Sequence, residues 1–146
     1  MKTILLIEDN LDILDNLTEY FELEGFKIHF SNNGKEGVEM AREFVPDLII
    51  CDVLMNEMDG QEVLRSLLTN SKTFDIPFIF STSNSEKVDR TEALALGADD
   101  YIIKPFELEA LLLMSKKWIE SGSDRSRESK KTTNSNMDLK TYLFIK

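Results

Sequence analysis

Acidic residues follow two short apolar segments of this 146-residue chain, and a lysine follows a third. Glu8 and Asp9 come directly after residues 4–7, Asp52 comes after residues 48–51, and Lys104 comes after residues 101–103. If these segments are neighbouring parallel strands, their carboxyl ends share one edge of a sheet, where three carboxylates and one ammonium group meet. That set of charges suits a divalent cation and a phosphoryl group.

The residue types at this edge allow a specific reaction. Mg²⁺ prefers oxygen ligands and keeps several waters, so Asp9 and Asp52 can each give one oxygen while Glu8 acts through water. A backbone carbonyl from the loop after Asp52 can complete the protein ligands. The Asp52 carboxylate can then attack phosphorus in line and form an acyl phosphate. Lys104 and the hydroxyl of Thr82, which follows another apolar segment, can contact the phosphoryl oxygens.

The elements that must position these residues follow from hydrophobic periodicity. Short apolar segments alternate with longer segments whose apolar residues recur every three or four positions, which predicts alternating strands and helices. Five strands and five helices alternating in this way predict an α/β fold, with a parallel sheet covered on both faces. The predicted strands are residues 3–7, 27–30, 48–51, 78–80 and 101–103, and the predicted helices are residues 10–24, 34–44, 61–68, 86–96 and 107–120.

Charge and cysteine content limit the function classes. The net charge is −10, and residues 1–120 hold 11 Lys/Arg against 24 Asp/Glu, so we expect no direct nucleic-acid binding by residues 1–121. Cys51 is the only cysteine, which excludes an internal disulfide. The first apolar segment is too short for a signal peptide, and no segment approaches the roughly 20 residues of a membrane span. We therefore expect a soluble, cytoplasmic protein without membrane contact.

The composition changes near residue 121. Residues 1–121 are predicted to form one domain. Residues 122–136 contain four basic and no large apolar side chains, which predicts a polar basic linker. Residues 137–146 become apolar again and are either a tail or the start of a truncated output domain.

Five sequence segments together resemble the receiver domain of response regulators, the phosphoacceptor part of two-component signalling. They occur in the order and spacing of that family across residues 1–120. They are residues 7–10 (IEDN), 51–55 (CDVLM), 58–60 (MDG), 76–82 (IPFIFST) and 97–106 (GADDYIIKPF).

The resemblance implies a flavodoxin-like doubly wound sheet with strand order 2-1-3-4-5. It implies that Asp52 accepts a phosphoryl group from a sensor histidine kinase or a histidine phosphotransfer protein. Lys104 would contact that group, and Thr82 with Tyr101 would form a switch pair that changes the face built by helix 4, strand 5 and helix 5. The metal would be Mg²⁺, with Mn²⁺ as a substitute, and its ligands would be Glu8, Asp9, Asp52 and the backbone carbonyl of Leu54.

The same resemblance implies a downstream target or output domain, and a phosphorylation-dependent dimer is one form of output. Such a protein catalyses only its own phosphorylation and dephosphorylation and is not otherwise an enzyme. Three alternatives compete with it. A flavin-binding protein would need a phosphate loop where Glu8 and Asp9 stand, and a haloacid-dehalogenase-type phosphatase would need an acid where Leu54 stands. A receiver-like binding module that is never phosphorylated would retain the fold alone.

Overall fold

The computed structural model of the chain describes residues 1–83 and 90–123, and its elements alternate as predicted. The strands are Thr3–Ile7 (β1), Lys27–Ser31 (β2), Leu48–Asp52 (β3), Phe78–Ser83 (β4) and Asp100–Lys104 (β5). The helices are Leu11–Leu23 (α1), Gly34–Phe44 (α2), Gly60–Leu68 (α3), Arg90–Ala95 (α4) and Leu108–Ser121 (α5). Residues 86–89, predicted as the start of the fourth helix, lie outside the described residues.

The five strands form one parallel sheet in the order β2-β1-β3-β4-β5. This confirms the predicted flavodoxin-like topology. The order reverses between β1 and β3, and in open sheets of this kind ligands bind at that reversal, beyond the carboxyl ends of the strands. The register pairs Ile7 with Cys51 and Asp52 with Ser81, so the ends of β1, β3 and β4 lie at one edge.

The core consists of two apolar clusters, one on each face of the sheet. Alternate strand residues face opposite sides, which divides them between the clusters. One cluster joins the sheet to α2, α3 and α4, and the other joins it to α1 and α5. All five residues of the central strand β3 are buried, as expected for a parallel strand covered on both faces. The sheet is therefore a rigid support for the residues at its edge.

Local sequence signals set several helix ends. The Asn10 side chain accepts a hydrogen bond from the Ile13 N–H at 3.1 Å and begins α1, and Asp59 begins α3 by accepting from Glu62 at 2.9 Å. Gly25, predicted to follow the first helix, has a φ of +95°, which a glycine adopts without steric cost. Val45 ends α2 with a φ of +45°, an uncommon conformation for a β-branched residue.

Side-chain hydrogen bonds hold the carboxyl-terminal end of α5 and the residues that follow it against the rest of the domain. The Trp118 indole N–H donates to Asp100 Oδ2 at 2.9 Å, and Ser123, which is fully buried, donates its hydroxyl to the Asp75 carbonyl at 2.9 Å. Leu108, the first residue of this helix, is 37% exposed. In the described part of the chain, no helix is both long and apolar enough to cross a membrane.

Candidate functional site

Three carboxylates meet at the point where the strand order reverses. Glu8 and Asp9 follow β1, and Asp52 is the last residue of β3 rather than the first residue after it. Each offers one oxygen, and the three oxygens lie within 4.8 Å of one another. The structure therefore brings together the three acidic residues that the sequence placed at one sheet edge.

The carboxylates differ in burial. Glu8 and Asp52 are 3% and 4% exposed, whereas Asp9 is open to solvent. Burying two like charges side by side is unfavourable unless opposite charge or hydrogen bonds compensate them. The site must therefore supply opposite charge or hydrogen bonds to these two carboxylates.

Lys104, the last residue of β5, supplies one such charge. Its Nζ lies 2.6 Å from Glu8 Oε1 and 3.4 Å from Asp52 Oδ1. Burial, the largest single effect, lowers the pKa of Lys104. The hydrogen bond and charge of Glu8, together with Asp52, outweigh burial, so its pKa lies above the ordinary value. Lys104 therefore stays protonated.

Both carboxylate oxygens of Glu8 have partners within the protein. Oε1 accepts from Lys104, and Oε2 accepts from the Asn10 N–H at 3.2 Å. The Glu8 backbone N–H in turn donates to the Ser31 carbonyl at 3.0 Å. Glu8 is thus held in a fixed position, and a direct bond from Glu8 to a cation would have to replace one of these contacts.

The loop between β3 and α3 folds back against the acidic edge. The Gly60 N–H donates to the Val53 carbonyl at 2.7 Å. A Cβ atom at Gly60 would collide with the Asp52 carbonyl oxygen, so only glycine allows this approach. Leu54, whose carbonyl is the predicted fourth ligand, lies in this loop with its side chain 65% exposed. The MDG segment, residues 58–60, is part of the family resemblance, but neither that segment nor the hydrophobic periodicity predicts this close approach of Gly60 to the Asp52 carbonyl.

Thr82 and Tyr101 lie on neighbouring strands, β4 and β5. Thr82 is 1% exposed, and Tyr101 is half-buried. Tyr101 pairs in register with Phe80, and side chains two residues apart on a strand share a face. Thr82 and Tyr101 are therefore on the same face of the sheet, the face covered by α3 and α4.

Cys51 precedes Asp52 and is fully buried. Burial raises the pKa of its thiol, and the negative charges of Asp52 and Glu8 raise it further. The thiol is therefore neutral at physiological pH and does not behave as a nucleophile or metal ligand. Cys51 is therefore a small residue of the core.

The donor set fits a hard divalent cation. The oxygens of Glu8, Asp9 and Asp52 lie close enough to surround one ion, and a dication would offset their mutual repulsion. The exposed position of Asp9 leaves room for the waters that Mg²⁺ keeps.

The comparisons with known proteins agree with this geometry. The family described as "Response regulator receiver domain" matches residues 4–116. Response regulator SaeR of Staphylococcus aureus is 35% identical over 113 residues, which are 77% of this chain and 48% of that protein. The chain therefore spans about half the length of the curated relatives it matches.

Solved structures give the same result. The receiver domain of a signal transduction histidine kinase from Syntrophus aciditrophicus is 35% identical with a TM-score of 0.76, covering 83% of this chain and 92% of that one. The receiver domain of sensor histidine kinase PA1611 from Pseudomonas aeruginosa, with a magnesium ion in its active-site cleft, is 26% identical with a TM-score of 0.71. That match covers 82% of this chain and 98% of the other. By sequence, sheet order and acidic edge, the chain belongs to the receiver domains of two-component response regulators.

Proposed function

We propose that Asp52 is the phosphoacceptor of this receiver domain. One observation carries the proposal: Asp52 is buried at the end of the central strand, within 4.8 Å of the oxygens of Glu8 and Asp9, and 3.4 Å from the Lys104 ammonium. A carboxylate in that position can meet an incoming phosphoryl group. The Lys104 ammonium and a cation held by the acidic cluster would then both stabilise the negative charge on the phosphoryl oxygens.

Asp9, Asp52 and the Leu54 carbonyl would hold Mg²⁺, with Glu8 bound through water or directly. When bound, the ion neutralises charge on the phosphoryl oxygens and so permits approach of the anionic carboxylate. Mn²⁺ has the same preference for oxygen ligands and would substitute. Support for this ligand set comes from the acidic cluster and from the magnesium ion in the related PA1611 receiver.

In the transfer, an Asp52 oxygen forms a bond to phosphorus while the bond from phosphorus to the donor breaks. For a phosphohistidine donor, the broken bond is to the imidazole nitrogen, which keeps the bonding electron pair. The imidazole leaves as a neutral ring if its other nitrogen carries a proton, and otherwise it takes up a proton from solvent. The product is an acyl phosphate. Lys104, which stays protonated, offers its charge to one phosphoryl oxygen, and the Thr82 hydroxyl donates to another.

Phosphorylation would then change the face formed by α4, β5 and α5. The added charge and acceptor oxygens draw Thr82 toward the phosphoryl group, and Tyr101 packs into the vacated space on the same sheet face. This face already presents exposed apolar side chains from all three elements, Leu94, Ile103 and Leu113. A downstream target, an output domain or a second receiver would contact it.

The partner upstream would be a sensor histidine kinase or a histidine phosphotransfer protein, and the chain would act in the cytoplasm. Its catalysis would be limited to its own phosphorylation and dephosphorylation. The domain boundary would lie at residue 121, where α5 ends, although the buried Ser123 extends its contacts by two residues. Most of the proposed linker, residues 122–136, and all of the proposed tail, residues 137–146, lie outside the described residues.

Acetyl phosphate with Mg²⁺, followed by intact-mass measurement, tests the acceptor. The wild-type chain should gain the mass of one phosphoryl group, and Asp52→Ala should gain none. Asp59→Ser is a matched control, since it removes a nearby carboxylate but keeps a helix-capping side chain. The control should be modified like wild type. An unmodified wild type, or a modified Asp52→Ala chain, would refute the assignment.

A further inference from the structure

An apolar groove lies between α1 and the connection from β5 to α5, next to the acidic edge. Its cavity volume is about 800 Å³. Lys104 and Pro105 contribute to its lining, so the groove adjoins the phosphoacceptor site. Its apolar wall, called here the α1 groove, is formed by Ile13, Leu17, Tyr20, Leu23, Phe106 and Leu108.

Much of this apolar surface is uncovered. Leu23 is 81% exposed and Leu108 is 37% exposed. Leu23 also lines a second depression on the other side of α1, together with Phe30, which is 53% exposed. Contiguous exposed apolar surface of this kind is typical of an interaction site.

The charges that α1 contributes around the groove are all negative, and Lys104 is the one cation among the described lining residues. The exposed side of α1 carries four carboxylates and no lysine or arginine. Glu19 lines both depressions. An occupant should therefore combine large apolar side chains with flanking positive charges. The four carboxylates are Asp12, Asp15, Glu19 and Glu22.

This chain contains one segment with that chemistry outside the described residues. Residues 142–145 are Tyr-Leu-Phe-Ile, and Lys140 and Lys146 flank them. Residues 124–146 hold six Lys/Arg against three Asp/Glu, whereas residues 1–120 hold 11 against 24. The charges are thus complementary.

The connecting segment is long enough. Residues 124–136 can span roughly 40 Å when extended, at about 3.3 Å per residue. The helix α5, which separates the described end of the chain from the groove, has 14 residues and is roughly 21 Å long at 1.5 Å per residue.

We propose that residues 137–146 dock in the α1 groove of the same molecule, with their apolar side chains on Leu23 and Phe106 and their lysines beside the α1 carboxylates. A tether of this length gives a local concentration on the order of millimolar, so weak intrinsic affinity is sufficient.

Paramagnetic relaxation tests the docking directly. A nitroxide is attached to Asp138→Cys in the full ¹⁵N-labelled chain, and amide intensities are compared before and after reduction of the label. The buried, neutral Cys51 should not react with the label. We expect amides of residues 16–23 to lose most of their intensity, while amides of α3, on the opposite face of the sheet, keep theirs.

Two variants of the labelled chain are matched controls. Leu143→Ser with Phe144→Ser removes the apolar anchor, and Leu23→Ser alters the groove at an exposed position that should not affect folding. Each should restore the α1 intensities, and 0.5 M NaCl should restore them in part because salt screens the surface charges.

Three outcomes would overturn the proposal. Intensity losses spread evenly over the domain, or confined to another face, would mean that the segment does not occupy this groove. In a mixture of nitroxide-bearing chains without ¹⁵N and ¹⁵N-labelled chains without the nitroxide, only contacts between molecules cause intensity losses. If the losses in α1 arise only from such contacts, the groove is occupied by a second copy of the chain. The experiment involves no phosphodonor, so its result is independent of the proposed phosphorylation of Asp52.

Discussion

Lys104 is paired more closely with Glu8 than with Asp52: its Nζ lies 2.6 Å from Glu8 Oε1 and 3.4 Å from Asp52 Oδ1. A charge-assisted N–H···O bond is normally about 2.7–2.9 Å long, so the contact with Glu8 is a strong hydrogen bond and the contact with Asp52 is mainly electrostatic. In this arrangement Lys104 stabilises the carboxylates that would otherwise bind a cation. A cation bound at this edge would therefore compete with the lysine for the same negative charge.

Replacing Lys104 with the similarly long but neutral methionine should strengthen Mg²⁺ binding. Without the ammonium group, the negative charge of the carboxylates is no longer partly neutralised and attracts the cation more strongly. We expect roughly tenfold tighter binding of Mg²⁺, or about 1.4 kcal/mol. Isothermal titration of the unphosphorylated chain with MgCl₂ measures this. Lys116→Met makes the same change in net charge at an exposed position on α5 and should leave the affinity unchanged. Equal or weaker binding by Lys104→Met would contradict the competition.

Gly60→Ala should destabilise the domain and disturb Asp52. The added Cβ would meet the Asp52 carbonyl oxygen and the Val53 Cα, both backbone atoms that cannot move aside cheaply. We expect a loss of about 2 kcal/mol in the free energy of unfolding, as for other overpacked sites. Urea unfolding followed by fluorescence of the single tryptophan, Trp118, gives the value. Gln61→Ala, the next position of the same helix, should change it little.

The free energy of unfolding should depend on pH through the protonation of His29. Burial, the largest effect, and the nearby charge of Lys27 lower the pKa of His29, although Glu43 opposes them. The unfolded chain then binds more protons near the ordinary histidine pKa of about 6.5, so stability rises with pH through this region and falls as the pH drops below it. Unfolding free energies of wild type and His29→Gln between about pH 5 and about pH 7.5 check the sign. We expect the unfolding free energy of His29→Gln to change less with pH than that of wild type. If it rises more steeply with pH than wild type, the predicted sign of the His29 effect is wrong.

Ser81→Ala should stabilise the protein. Ser81 is 3% exposed, and its hydroxyl has no hydrogen-bond partner among the described residues. Removing an unsatisfied buried hydroxyl should raise the free energy of unfolding by about 1 kcal/mol. Ser115→Ala is the matched control, because that hydroxyl is also buried but donates to the Leu111 carbonyl at 2.7 Å. The control should be neutral or destabilising, and a stability loss in Ser81→Ala would refute the prediction.

Val45→Asn should also stabilise the protein, through the backbone. Val45 adopts a φ of +45° at the end of α2, a left-handed conformation that costs a β-branched residue about 1–2 kcal/mol and that asparagine tolerates better. Because Val45 is 45% exposed, little packing is lost. Thermal unfolding should show a higher midpoint temperature. Glu24→Asn, at the end of α1 where φ is −85°, should give no such gain.

The sequence alone determined the fold and the composition of the site. Near-continuous apolar segments separated by helical periodicity predicted a parallel sheet covered on both faces, because buried parallel strands need helices on both sides. The resemblance to receiver domains added the strand order. Charged residues at the ends of those segments placed Glu8, Asp9, Asp52 and Lys104 together, since parallel strands share one carboxyl edge. Residue type and strand position are local properties, and they are sufficient for those two inferences.

Only the tertiary structure decided which charges pair and which atoms approach closely. Lys104 and Glu8 are 96 residues apart, and the preference of that lysine for Glu8 over Asp52 depends on side-chain positions to within 1 Å. The close approach of Gly60 to the Asp52 carbonyl and the unsatisfied hydroxyl of Ser81 likewise depend on how neighbouring segments pack. Hydrogen bonds and steric contacts change over fractions of an ångström, a precision that hydrophobic periodicity and motif spacing do not carry.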